Sequence, residues 1–152
     1  MVICDTNIIS KLLFRDPEVM KQINIIGLKN VYITPIVYIE IVHWLSAFRK
    51  FTREDRKEIK AFMDSLKVLH INKSISELSI DIIKKDNSLE FPDIFIGATG
   101  VYYNLPVYTH NLKHFKLIKD MFSFSFSYLL NNYLFSILNC ISSKIFTIHF
   151  KF

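Results

Sequence analysis

Apolar residues along the chain alternate between short continuous runs and longer stretches where they recur every third or fourth position. Val2 to Cys4 is such a run, ending at Asp5-Thr6-Asn7, residues that cap helices; Ile8, Ile9, Leu12 and Leu13 then follow at helical spacing. The pattern predicts a strand followed by a helix. Asp16-Pro17 opens a second helix toward Ile26-Gly27, and Val31-Tyr32-Ile33, β-branched and aromatic, reads as the next strand. Thr34-Pro35 supplies an N-cap with proline at the first helical position, ahead of an apolar face made by Val37, Ile41, Trp44, Leu45 and Phe48. Thr52 to Lys60 mixes charges of both signs and leads into Ala61, Phe62 and Leu66, the pattern of a solvated helix with one buried edge. Val68 to Ile71 predicts a third strand, Ile75 to Ile83 a helix, Phe91-Pro92-Asp93 the start of another, and Pro106 to Thr109 a fourth strand. Strands separated by helical segments predict an α/β domain with a mainly parallel central sheet of four or five strands flanked by helices. In such sheets ligands bind at the carboxyl ends of the strands.

With 152 residues the chain is the size of one domain, and 51% hydrophobic with 22% charged residues excludes a disordered chain. Cys4 and Cys140 lie far apart with no Cys-x-x-Cys or Cys/His pattern, which excludes a zinc framework and suits a reducing, cytoplasmic setting. The opening Met-Val-Ile-Cys-Asp has no basic region and meets an acid at position 5, so it does not read as a secretory signal. A net charge of +5 is compatible with a polyanionic partner but does not select one.

The chemistry is concentrated in three carboxylates. Asp5 is the only charged residue before Lys11, Glu40 the only one between Lys29 and Arg49, and Asp93 the only one between Glu90 and Lys113. A carboxylate taken out of water costs several kcal/mol unless it is paired, strongly hydrogen-bonded or bound to a cation. Asp5 can serve as a helix cap, Asp93 can favour the positive end of a helix dipole, and Glu40 can occupy an exposed helix edge. Gathered at one end of a sheet, the three would instead repel one another unless a divalent cation balanced them, and an oxygen-only set selects Mg²⁺ or Mn²⁺. Such ions activate water for attack on a phosphodiester. His43 and His114 have no metal-ligand spacing with each other or with the acids and read as structural or surface residues.

Four segments taken together resemble, in order, the motifs of PIN-domain ribonucleases, with the nearest likeness to the VapC-type toxins of bacterial toxin–antitoxin pairs: Val-Ile-Cys-Asp-Thr-Asn-Ile-Ile-Ser, Thr-Pro-Ile-Val-Tyr-Ile-Glu, Phe-Pro-Asp-Ile-Phe-Ile-Gly-Ala-Thr-Gly and Leu-Pro-Val-Tyr-Thr-His-Asn-Leu-Lys-His-Phe. The resemblance spans roughly residues 1 to 120. It implies Asp5, Glu40 and Asp93 as metal-binding catalytic acids, hydrolysis of RNA that leaves a 5′-phosphate, a cognate antitoxin as partner, and a homodimer. Asn111 stands where many family members carry a fourth acid and others an asparagine; being neutral, it adds no negative charge to the site. Thr6 and Thr109 place hydroxyls beside the predicted site, where they can orient ligands or simply cap local structure. Lys113 and Lys116 can meet RNA phosphates, or form a solvated helix face. The alternative is a catalytically impaired PIN-like module that binds RNA or a partner without cutting.

The family pattern predicts a nuclease domain over residues 1–121 and a separate character for residues 122–152. That tail has no acid, proline or glycine, its charges are Lys144 and Lys151, and it holds half of the 14 phenylalanines. Without it, 17 basic and 14 acidic residues leave +3. Its composition fits a non-native replacement such as a frameshift in A/T-rich DNA, a disordered end, or, less well because serine and asparagine dilute it, membrane association. An intact reading frame encoding the same tail in close relatives would exclude the frameshift.

Overall fold

The computed structural model describes residues 1–48, 50–116 and 118, and the backbone of 123–124. In chain order the elements are β1 (Val2–Cys4), α1 (Thr6–Leu13), α2 (Pro17–Ile26), β2 (Val31–Ile33), α3 (Pro35–Ala47), α4 (Arg53–Ser65), β3 (Lys67–Val68), α5 (Lys73–Lys85), α6 (Phe91–Tyr103), β4 (Val107–Tyr108), α7 (Leu112–Phe115) and β5 (Ser123–Phe124). The five strands form one sheet in the order β3-β2-β1-β4-β5, every pair parallel. β1 lies at the centre, with Val2, Ile3 and Cys4 all buried, which is why it reads as an unbroken apolar run rather than an alternating one. The helices bury Ile8, Ile9, Val37, Ile41, Ile94, Ile96 and Ala98 in the same core.

Local chemistry sets the element ends. Asp16 caps α2 by accepting from Glu18 N and Val19 N, Thr34 caps α3 through Val37 N, Asn72 caps α5 through Ile75 N, and Thr52 with Asp55 forms a capping box on α4. Asn104 ends α6 in the left-handed conformation at φ 51°, where asparagine is tolerated. Arg56 of α4 reaches the open end of α3 and donates to the carbonyls of Leu45 and Phe48, tying the two helices together. Charge-assisted hydrogen bonds contribute about 1.5–3 kcal/mol each, so Arg56→Ala should lower the unfolding free energy by roughly that much, read as a lowered midpoint in urea; an unchanged midpoint would show the contacts to be idle.

Two strands are shorter than the sequence suggests. The third, expected at Val68 to Ile71, is Lys67–Val68, because its partner β2 offers only Tyr32 and Ile33 for pairing; one further bond, Leu69 N to Ile33 O at 2.9 Å, closes the ladder before the chain turns to cap α5. The fourth is Val107–Tyr108, since Pro106 has no N–H to donate, although its carbonyl accepts from Ile3 N at 2.9 Å. Apart from residues 123–124 the expected tail lies outside the described residues. Among the described residues no helix is long and apolar enough to cross a membrane.

The strand order reverses beside β1: β2 and β3 are added on one side, β4 and β5 on the other. At such a switch point the connections leave β1 and β4 in opposite directions and open a crevice at their carboxyl ends. Asp5 follows β1 and Thr109 follows β4, so the two residues flank that crevice.

Candidate active site

Asp5 is the N-cap of α1, yet its side chain does little for the helix. It accepts only from Thr6 N, at 2.6 Å, rather than from an amide deeper in the first turn, where capping residues usually bind. The other oxygen, Oδ2, accepts from Thr109 Oγ1 at 2.7 Å and from Asn7 Nδ2 at 2.6 Å. The carboxylate therefore leans across the crevice toward the end of β4. It is 5% exposed, and burial pushes its pKa up from 3.8 to about 6. The Thr109 and Thr6 hydrogen bonds resist that rise, and the charges of Asp93 and Glu40 add to it.

Glu40 sits one and a half turns into α3, half-buried, where that helix packs on α1. Its Oε2 accepts from Thr6 Oγ1 at 2.5 Å. Thr6 thus holds two of the acids, Asp5 through its backbone and Glu40 through its hydroxyl. The exposed-edge reading of Glu40 does not hold, because the side chain turns inward to a neighbouring helix.

Asp93 lies in the first turn of α6 and is 8% exposed. The helix has no side-chain cap bond, so this carboxylate is not consumed in capping. Its Oδ2 lies 2.5 Å from His114 Nδ1, and that nitrogen is also 2.8 Å from Asn111 Nδ2. Asn111 N donates to Thr109 Oγ1 at 2.9 Å, which joins the fourth motif to the Asp5 network.

The structure thus brings Asp5, Glu40, Asp93, Thr6, Thr109 and Asn111 to one region and leaves Lys113 and Lys116 exposed at its edge. Two residues at the site were not read as such from sequence. Asn7, in the first turn of α1, ties Asp5 to the loop after β4: its amide nitrogen reaches Asp5 and, at 3.2 Å, Thr109, while its oxygen accepts from His110 N at 3.3 Å. An asparagine two positions after the aspartate that follows a strand was the available signal. His114, read as structural or surface, touches Asp93; their separation of 21 positions hid the contact from any rule based on local spacing.

The donor chemistry suits a hard cation. Each carboxylate keeps unused lone pairs after its protein contacts, Glu40 Oε1 and Asp93 Oδ1 among them, and the mutual repulsion recorded in Asp5 is what a divalent ion relieves. Among the described residues, however, no three such side chains already converge closely enough to enclose an ion.

A family profile described as PIN domain matches residues 2–120. No curated protein matches the chain. Among solved structures, FitAcB from Neisseria gonorrhoeae is similar at a TM-score of 0.70 and 19% identity, over 83% of this chain and 98% of that one. A toxin-antitoxin complex from Klebsiella pneumoniae gives 0.69 and 20%, over 83% and 98%, and DNA-bound VapBC from Salmonella typhimurium 0.72 and 18%, over 82% and 97%. At these identities the likeness is one of fold. The profile match is more specific, since it runs from β1 through α7 and contains all three carboxylates, and on it the chain belongs to the PIN-domain family of nucleases.

Proposed function

We propose that the protein is a metal-dependent endoribonuclease, the cytoplasmic toxin of a toxin–antitoxin pair, which hydrolyses RNA phosphodiester bonds at Asp5, Glu40 and Asp93. The observation that carries this reading is that three sequence-isolated carboxylates border the switch point in one linked set of contacts: Thr6 holds Asp5 and Glu40, and Thr109 and Asn111 connect Asp5 to the His114 that meets Asp93. PIN nucleases generally use divalent metals, and Mg²⁺ or Mn²⁺ is the ion this oxygen set favours. When bound, it supplies Lewis acidity to the phosphate and a water made acidic enough to attack. The chain's own residues prepare for that. Asp5, Glu40 and Asp93 would hold the ion. Thr6 restrains Glu40, while Thr109 and Asn7 restrain Asp5. Lys113 and Lys116, exposed beside Asn111, attract the RNA backbone.

An antitoxin partner is supported by the fold shared with the Klebsiella pneumoniae structure, itself a toxin-antitoxin complex, and a homodimer by the motif resemblance. The impaired-module reading has one observation in its favour: the fourth position is neutral Asn111, and Asp93 Oδ2 is engaged by a histidine. Incubating the purified full chain with single-stranded RNA decides between them. Cleavage that needs Mg²⁺ or Mn²⁺, stops on chelation and leaves 5′-phosphate ends is expected; RNA binding without cleavage at any metal concentration would select the module.

A further inference from the structure

His114 belongs to α7, and its ring Nδ1 lies 2.5 Å from Asp93 Oδ2 and 2.8 Å from Asn111 Nδ2. Two lone pairs do not meet at the shorter distance, so Nδ1 carries a hydrogen and donates it to the carboxylate. One ring nitrogen cannot also accept from an amide N–H. Asn111 therefore meets Nδ1–H through its amide oxygen, with the side-chain amide turned about its last bond. The three carboxylates are held unequally. Asp5 accepts three hydrogen bonds, whereas among the described residues Glu40 accepts one, from Thr6, and Asp93 one, from His114. Asp93 is also spared by its own helix, which takes no cap from a side chain.

We propose that His114 is the positioning residue of Asp93: its Nδ1–H fixes Oδ2 and so leaves Oδ1 free for a cation that Asp5 and Glu40 would also help to hold. The inference rests on the metallonuclease reading above. A carboxylate with no such tether must be ordered at the moment of binding, and loss of an outer partner of a metal ligand costs about ten- to a hundredfold in metal affinity or activity. The neutral Asn111 and the His114 donor together occupy the corner where the family resemblance implies a fourth acid. That corner then adds no charge to the site but supplies rigidity.

Two measurements on the full chain test it. In the first, nitrogen-resolved NMR of the metal-free protein reads the tautomer of the neutral His114 ring. The Nδ1–H form is expected to dominate, and Asp93→Ala to return the ring to the Nε2–H form usual in water. An Nε2–H tautomer in the unsubstituted protein overturns the proposal. In the second, Mn²⁺ binding is followed by calorimetry without RNA. His114→Ala should weaken it about ten- to a hundredfold, and His114→Asn, whose amide nitrogen falls near the place of Nδ1, should restore most of it while His114→Gln does not. Equal Mn²⁺ affinity in His114→Ala and the unsubstituted chain overturns the proposal, as does failure of the asparagine to restore it. If the unsubstituted chain binds no Mn²⁺, the metallonuclease reading fails, and the tautomer alone decides whether His114 holds Asp93.

Discussion

Asp93→Asn should reduce metal-dependent RNA cleavage by at least roughly a thousandfold while leaving the fold intact. Lewis-acid stabilisation by a bound ion contributes several kcal/mol to a phosphoryl transition state, and each 1.36 kcal/mol is a factor of ten in rate. Asparagine keeps an oxygen for the His114 Nδ1–H but removes the negative charge that holds the cation. Asp93 makes no cap bond within α6, so the helix loses no hydrogen bond. Asp5→Asn should be equally inactive yet less clean. Its new NH₂ would face the Asn7 amide and Thr109 hydroxyl that now donate to Oδ2, and one of these donors would lose its acceptor. Cleavage rates at saturating Mn²⁺, with circular dichroism of each variant, separate the two effects. Asp93→Asn cutting RNA at the unsubstituted rate would remove this residue from the site.

Fold and site were legible to different depths for physical reasons. The central strand and the capped helices follow from short-range chemistry: Val2 to Cys4 is apolar throughout because both faces of β1 are covered, and Thr34-Pro35 and Asp16-Pro17 announce helix starts. The edge strand β3 starts one residue earlier and ends three residues sooner than the pattern predicts, because its limits are set by the length of β2, a tertiary property. Of the site residues, Glu40 was exposed by solvation energetics alone, since a lone glutamate on an apolar helix needs a partner. Asp5 admitted a capping reading and Asp93 a helix-dipole reading, and neither reveals the further partners that the structure adds: Asp5 caps α1 through a single first-turn amide but turns its other oxygen to Thr109, and Asp93 meets His114. His114 and Asn7 escaped notice because their partners come from elsewhere in the chain. A histidine's role depends on what lies opposite its ring nitrogen, and no local spacing encodes a contact between α6 and α7.

The switch-point topology explains why so few residues suffice. Parallel strands bring the β1 and β4 ends together, so hydroxyl, amide and carboxylate groups arrive on the residues that follow those strands and on the first turns of the helices beside them. The Asp5–Thr109 bond spans 104 positions, and the Asn7–Thr109 bond closes the same gap. These are sequence-distant contacts formed late in chain order, and they join the first motif to the last.

The raised pKa of Asp5 predicts an inverted pH dependence of stability. In the folded, metal-free chain the carboxyl keeps its proton up to about pH 6, whereas unfolded it is released near 3.8. Between those values the native state binds more protons, so this group's contribution is full below about pH 4 and is lost as pH rises through 6. At 1.36 kcal/mol per pK unit the loss is roughly 3 kcal/mol at neutral pH. His110 acts in the opposite direction, because burial lowers its pKa and its cost fades as pH rises. Asp16, Asp55, Asp64 and Asp86 are held below their ordinary values and weaken the fold only toward more acid pH. The difference in melting temperature between the unsubstituted chain and Asp5→Asn, followed from pH 4 to 7, isolates Asp5 from these groups. A cation that binds only the ionised site should reverse the trend: at a hundred times its Kd it stabilises by about 2.7 kcal/mol, which is roughly 5–10 °C for a domain of this size. Mg²⁺ or Mn²⁺ should therefore raise the melting temperature strongly at pH 7, little at pH 5, and hardly at all in Asp5→Asn. An equal metal shift in both proteins, or a metal-free chain that gains stability over Asp5→Asn as pH rises from 4 to 6, would show that Asp5 is neither the strained group nor the ligand.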